Sequence, residues 1–113
     1  MRLASVKSGR DGRLVVFHDP TLARCTDGDG LIEQCTLAEL KTLDAGANFT
    51  RDGGRSFPWR GRGVRIPAFD ELIDALPRHL PCIIELKTPA ATEPLREAVR
   101  RHGIAQRIVV AGF

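Results

Sequence analysis

No apolar run in this 113-residue chain approaches the ~18 residues that a membrane-spanning helix needs, and the N-terminus lacks the apolar core of a secretory leader. A cytoplasmic setting is therefore the expectation for the segment as given. The three cysteines, Cys25, Cys35 and Cys82, are an odd number with no CxxC pair. That excludes a disulfide framework or a zinc site as the organising feature, and reduced cysteines packed as small hydrophobes are expected. A strong charge of one sign is also missing: 17 Lys and Arg against 14 Asp and Glu leave +3. This mild excess suits an anionic small molecule and does not call for nucleic acid. No internal repeat is visible. With 42% hydrophobic and 27% charged residues, the composition is that of one globular domain.

Short continuous apolar runs at Leu14–Phe17, Cys82–Leu86 and Ile108–Ala111 read as strands buried on both faces, the pattern of parallel strands covered by helices. Arg2–Val6 is a candidate for one more. Helix signals lie between them. Thr36-Leu37-Ala38-Glu39 is a capping box followed by Leu40 and Leu43. After Pro67, residues Phe69, Leu72, Ile73 and Leu76 recur at helical spacing until Pro77 stops them. A third helix is expected from about Glu93 to His102, with Thr92 as N-cap, Pro94 in the first turn and Gly103 as the stop. The order of strands and helices is a βα repeat, so a parallel α/β sheet or barrel is the expected fold class. Residues 48–65 carry Gly and five Arg without periodicity and read as a long surface loop.

Two places carry chemistry. His18-Asp19-Pro20 follows the Leu14–Phe17 strand, so His18 is expected at a strand's carboxyl end, where parallel α/β folds build their sites. An imidazole there can donate or accept a proton near neutral pH, although a hydrogen-bonded strand-end histidine would look the same in sequence. In Ile83-Ile84-Glu85-Leu86-Lys87, the two charged residues share one face of an otherwise apolar strand. Burying a carboxylate without a partner costs several kcal/mol. Such a strand calls for a metal, an ion pair or an anionic ligand, and a mutual Glu85–Lys87 contact is the plain alternative.

These residues resemble the glycerophosphodiester phosphodiesterase family. The likeness runs through Asp11-Gly12-Arg13-Leu14-Val15-Val16-Phe17-His18-Asp19, Leu22-Ala23-Arg24-Cys25-Thr26 and Thr36-Leu37-Ala38-Glu39-Leu40. It continues in Leu43-Asp44-Ala45-Gly46, Ile66-Pro67-Ala68-Phe69-Asp70-Glu71-Leu72, Ile84-Glu85-Leu86-Lys87 and Val109-Val110-Ala111-Gly112-Phe113. The resemblance implies a TIM (β/α)8 barrel that cleaves a glycerophosphodiester to glycerol 3-phosphate and an alcohol with a divalent metal, Ca²⁺ or Mg²⁺. By the same likeness His18 matches a histidine of acid-base catalysis, Asp19 a supporting residue, Glu85 one of three carboxylate metal ligands and Lys87 a phosphate-facing lysine. The family's His-Arg-Gly and Glu-x-Asp stretches are expected to precede Met1, with Ala4–Arg10 as a small insertion before Asp11-Gly12.

An eight-stranded barrel needs ~250 residues. Residues 1–113 therefore read as an internal fragment of a single domain, a partial barrel with parallel strands alternating with helices. Open sheet edges would then allow self-association. The rival reading is a non-catalytic remnant acting as a binding or association module, and a barrel directed at sphingomyelin or phosphoinositides would share the chemistry with other headgroup contacts. Cys25–Ile32 carries only a faint calcium-loop pattern and reads as an Asp-Gly turn. Arg51, Arg55, Arg60, Arg62 and Arg65 around Phe57 and Trp59 read as a solvated loop with its aromatics tucked inward, and substrate contact is the second reading. His79 and His102 are expected at helix ends on the surface.

Overall fold

Along Cys82–Leu86 burial alternates, with Cys82, Ile84 and Leu86 buried and Ile83 and Glu85 half-buried. One face of this strand is committed to the core. In the computed structural model, which describes residues 2–112, it lies inside a four-stranded sheet. The strands β1 (Arg2–Ser8), β2 (Leu14–Val16), β3 (Cys82–Leu86) and β4 (Ile108–Ala111) stand in the order β2-β1-β3-β4. β3 is parallel to both β1 and β4. The helices are α1 (Leu37–Leu40), α2 (Phe69–Ala75) and α3 (Thr92–His102), so β3-α3-β4 is the βα repeat the sequence implies.

One strand differs from expectation in its direction. Leu14–Val16 is antiparallel to β1, with Val6 opposite Val16 and Ser8 opposite Leu14. The two strands are joined by a tight turn in which Gly12 takes φ 76° and donates to the Gly9 carbonyl at 3.1 Å. A connection this short permits only a hairpin, since a parallel return needs a crossover of a dozen or more residues. Buried on both faces is nonetheless right: Leu14 packs with Phe69 and Ile84, while Val15 packs with Leu22, Ile32, Leu40 and Ile66. β1 bears out the candidate strand at Arg2–Val6 and extends it to Ser8, so residues 4–8 lie at the inside of the sheet and are not part of an insertion. Lys7 and Ser8 interrupt the apolar pattern there, which is why the expected strand stops at Val6.

The capping box at α1 is present, with the Thr36 hydroxyl accepting from the Glu39 N–H at 3.2 Å and Glu39 Oε1 accepting from the Thr36 N–H at 3.1 Å. The third helix begins one residue earlier than expected. A 3-10 turn at Pro89–Ala91 runs straight into it, making Ala91 the N-cap in place of Thr92. Gly103 ends it in the left-handed region, φ 63°, as its C-cap role requires.

Residues 48–65 contain no helix or strand. Arg60 stacks 3.8 Å over the Phe57 ring and donates to the Ala47 carbonyl at 2.7 Å, and Arg65 donates to the Leu43 carbonyl at 3.0 Å. Those two arginines hold the loop to the body. Trp59 is about half exposed instead of tucked inward, whereas Phe57 is half-buried. The Cys25–Ile32 stretch is a turn, with Asp27 Oδ1 accepting from the Asp44 N–H at 2.8 Å. His79 is exposed, whereas His102 is partly buried and sits 2.7 Å from Asp70, which corrects its assignment to the surface.

Phe69, Ile84 and Val6 anchor the cluster between sheet and helices. Truncating Ile84 to Ala should cost about 2–5 kcal/mol in urea unfolding, because the surrounding side chains close only partly over the cavity. A loss below about 1 kcal/mol would show that this cluster is not a packed core.

Candidate active site

Glu85 and Lys87 occupy the face of β3 opposite Ile84 and Leu86. Lys87 Nζ lies 2.9 Å from Glu85 Oε1, and both side chains are half-buried. The pairing of β1 with β3 places Ser5 beside Glu85, and the Ser5 hydroxyl donates to the same Oε1 at 2.9 Å. The Glu85 carboxyl is held below its usual range first by the Lys87 hydrogen bond and then by that of Ser5, with a smaller contribution from His18. It is therefore a carboxylate at neutral pH. Lys87 sits just past the end of β3, its backbone N–H donating to the Val6 carbonyl at 3.2 Å.

His18 reaches this region by a different route from the one expected. It follows an antiparallel strand, so it does not stand at the carboxyl end of a parallel one. The hairpin carries it there: the Phe17 N–H donates to the Ser5 carbonyl at 2.9 Å, and Ser5 in turn binds Glu85. The imidazole is two-thirds exposed, with Nδ1 3.0 Å from Asp19 Oδ1. Asp19 is gripped by Arg24, whose Nε donates to Oδ2 at 2.6 Å and whose Nη2 donates to Oδ1 at 2.7 Å. That fork, followed by the His18 hydrogen bond, holds the Asp19 carboxyl far below the usual carboxylate range. An ionised carboxylate only accepts, so Nδ1 carries the proton and Nε2 is left to exchange one.

His18 and Ser5 border an open groove of about 530 Å³ whose other walls include Val16, Phe17, Cys25 and Arg65. Glu85 is not among those walls, and Ser5 is the link between the two. The structure thus brings His18, Asp19, Glu85 and Lys87 into one neighbourhood, connected through β1. Sequence reasoning missed Ser5 and Lys7, which alternate on β1, and gave Arg24 no role. The alternation of positions 5 and 7 and the spacing of Asp19 and Arg24 were the signals available.

Glu85 is suited to be one oxygen ligand of a hard cation. Among the described residues, however, no group of three or more His, Cys, Asp or Glu side chains could hold a metal ion. The position beside Glu85 on β1 is a serine, and the carboxylate is already bonded to an ammonium and a hydroxyl. The described residues therefore do not form a divalent-cation site by themselves.

The Asp19–Arg24 fork makes a direct prediction. In Arg24→Ala the Asp19 carboxyl should titrate closer to the ordinary aspartate range, because the hydrogen bonds favouring its charged form are lost. Carboxyl ¹³C NMR across an acid titration measures this, and an unmoved midpoint would mean that Arg24 does not hold Asp19 in solution.

Residues 6–108 match the model of the Glycerophosphoryl diester phosphodiesterase family. A glycerophosphodiester phosphodiesterase of Caldanaerobacter subterraneus subsp. tengcongensis is 33% identical over 114 residues, covering 96% of this chain and 44% of that protein. One of Bacillus subtilis is 36% identical over 84 residues, covering 71% of this chain and 27% of that protein. Among solved structures, the glycerophosphoryl diester phosphodiesterase domain of uncharacterized protein Rv2277c from Mycobacterium tuberculosis superposes with a TM-score of 0.90 at 30% identity, over 97% of this chain and 40% of that one. A glycerophosphodiester phosphodiesterase from Agrobacterium tumefaciens gives 0.82 at 29% identity, over 98% of this chain and 44% of that one. The chain spans less than half the length of these relatives. The half-sheet with its helices is thus part of a TIM-barrel fold, and the chain belongs to the glycerophosphoryl diester phosphodiesterase family.

Proposed function

We propose that these residues form part of a phosphodiester-hydrolysing site that cleaves glycerophosphodiesters to glycerol 3-phosphate and an alcohol. The observation that carries this reading is the placement of His18, with Asp19 fixing its tautomer, near a Glu85–Lys87 pair on the strand next to β1. Lys87 faces the phosphoryl oxygens and stabilises charge developing on them, while Glu85 fixes its position. His18 transfers a proton through Nε2 at the attacking or leaving oxygen, and Asp19 stabilises the imidazolium that forms. Asp19 acts on His18, and Arg24 acts on Asp19.

A divalent cation, Ca²⁺ or Mg²⁺, would add charge stabilisation at the phosphate, with Glu85 as one ligand and residues of the parent protein other than those described as the rest. The small-molecule glycerophosphodiester is the partner this chemistry needs. The sheet edge at β4, where Val109 and Val110 are about half exposed, is a surface for the remainder of a barrel or for self-association. The second reading, a non-catalytic remnant, is favoured by one observation: Ser5 stands beside Glu85 and shares its oxygen with Lys87, leaving no second carboxylate there.

In the full-length protein that carries these residues, His18→Asn should lower glycerol 3-phosphate release by roughly 10²–10⁴-fold, the usual scale of a lost general acid or base. Glu85→Gln should lower turnover severely and weaken its response to added Ca²⁺ or Mg²⁺. Near-wild-type turnover in both variants would remove these side chains from the reaction, and no turnover in the unaltered full-length protein would leave the remnant reading.

A further inference from the structure

Lys7 is 5% exposed, and among the described residues no carboxylate comes within 4.0 Å of its ammonium. It sits on β1 one residue beyond Val6, which pairs with Leu86, so Lys7 and Lys87 are neighbours at the ends of adjacent parallel strands. Strand alternation puts Lys7 on the face that carries Ser5, and Lys87 on the face that carries Glu85. Two ammonium groups therefore stand side by side above the Ser5–Glu85 hydrogen bond. Burial is the main influence pushing the Lys7 ammonium below its usual range; Glu33 opposes it, Lys87 adds to it, and Asp19 opposes both.

The Lys7 side chain is enclosed almost to its tip, and holding an unpaired ammonium there beside a second cation is costly. A methionine or leucine would fill the same space with none of it. Lys87 commits one of its three donors to Glu85 and keeps two, while Lys7 commits none to any described residue. An anion seated between the two ammonium groups would neutralise both.

We propose that Lys7 is a second phosphate-facing cation, which together with Lys87 clasps the phosphoryl group of a glycerophosphodiester or its glycerol 3-phosphate product. This rests on the phosphodiester reading above and adds a binding residue to it. Lys7 supplies binding and charge, with no proton transfer.

Calorimetric titration of sn-glycerol 3-phosphate into the full-length protein that carries these residues and into its Lys7→Met, Lys7→Arg and Lys87→Met variants tests it. Lys7→Met should weaken binding by roughly 10- to 100-fold, the scale of a lost charge-assisted hydrogen bond, and Lys7→Arg should largely retain it. Lys7→Met should also keep or raise the thermal midpoint, since it removes an unpaired charge that stands beside a second cation. In the unaltered chain the side-chain NMR resonances of Lys7 should move on adding the ligand, a readout that does not depend on any variant folding. If Lys87→Met loses binding while Lys7→Met binds like the unaltered chain, or if the Lys7 resonances stay still, the proposal is overturned and the phosphodiester reading stands. If the unaltered full-length protein binds no glycerol 3-phosphate, both fall together.

Discussion

The ion pair between Glu85 and Lys87 is the constraint around which the site is arranged. β3 has one face given to Cys82, Ile84 and Leu86 in the core, so its alternate residues must face the other way whatever they are. An acid and an ammonium on that face, half-buried, need each other and a polar neighbour to be tolerated. The structure supplies both: the 2.9 Å contact between them and the Ser5 hydroxyl from β1. The same face of β1 carries Lys7, which no described carboxylate contacts, so positive charge is left over at the strand ends. That surplus is what an anionic substrate would meet.

β1 connects the two halves of the site. Its parallel register with β3 delivers Ser5 to Glu85, and its hairpin with β2 delivers His18, through the Phe17–Ser5 backbone bond. A one-residue slip in either pairing would turn Ser5 to the core side and break the link. The completely buried Val6 resists such a slip, because it would have to exchange places with a charged neighbour. The polar arrangement on one side of the sheet is thus fixed by apolar packing on the other.

Much of this was legible in the sequence. The capping box at Thr36, the Gly103 stop and the oily strand with Glu85 and Lys87 are local signals, and local signals survive folding because they depend on neighbours in the chain. The direction of Leu14–Val16 was not legible from its composition, since a short buried strand reads the same in either direction; the turn at Gly9–Gly12 held that information. The end of β1 was masked by Lys7 and Ser8, polar residues that are buried where β1 lies between β2 and β3. Ser5 acquires its role only from the β1–β3 register, and Arg24 only from the fold of residues 18–26 back on themselves. Long-range pairing of this kind leaves little trace in a single sequence.

A crystal structure of the chain with sn-glycerol 3-phosphate bound tests the account most directly. The phosphorus should lie within contact range of the Lys87 ammonium and on the side of the sheet to which His18 is brought, with Asp19 still on Nδ1 of the imidazole. Phosphate seated instead on the arginines of residues 51–65, with Glu85 and Lys87 paired and untouched by it, would contradict the claim that the charged face of β3 is the phosphoryl site.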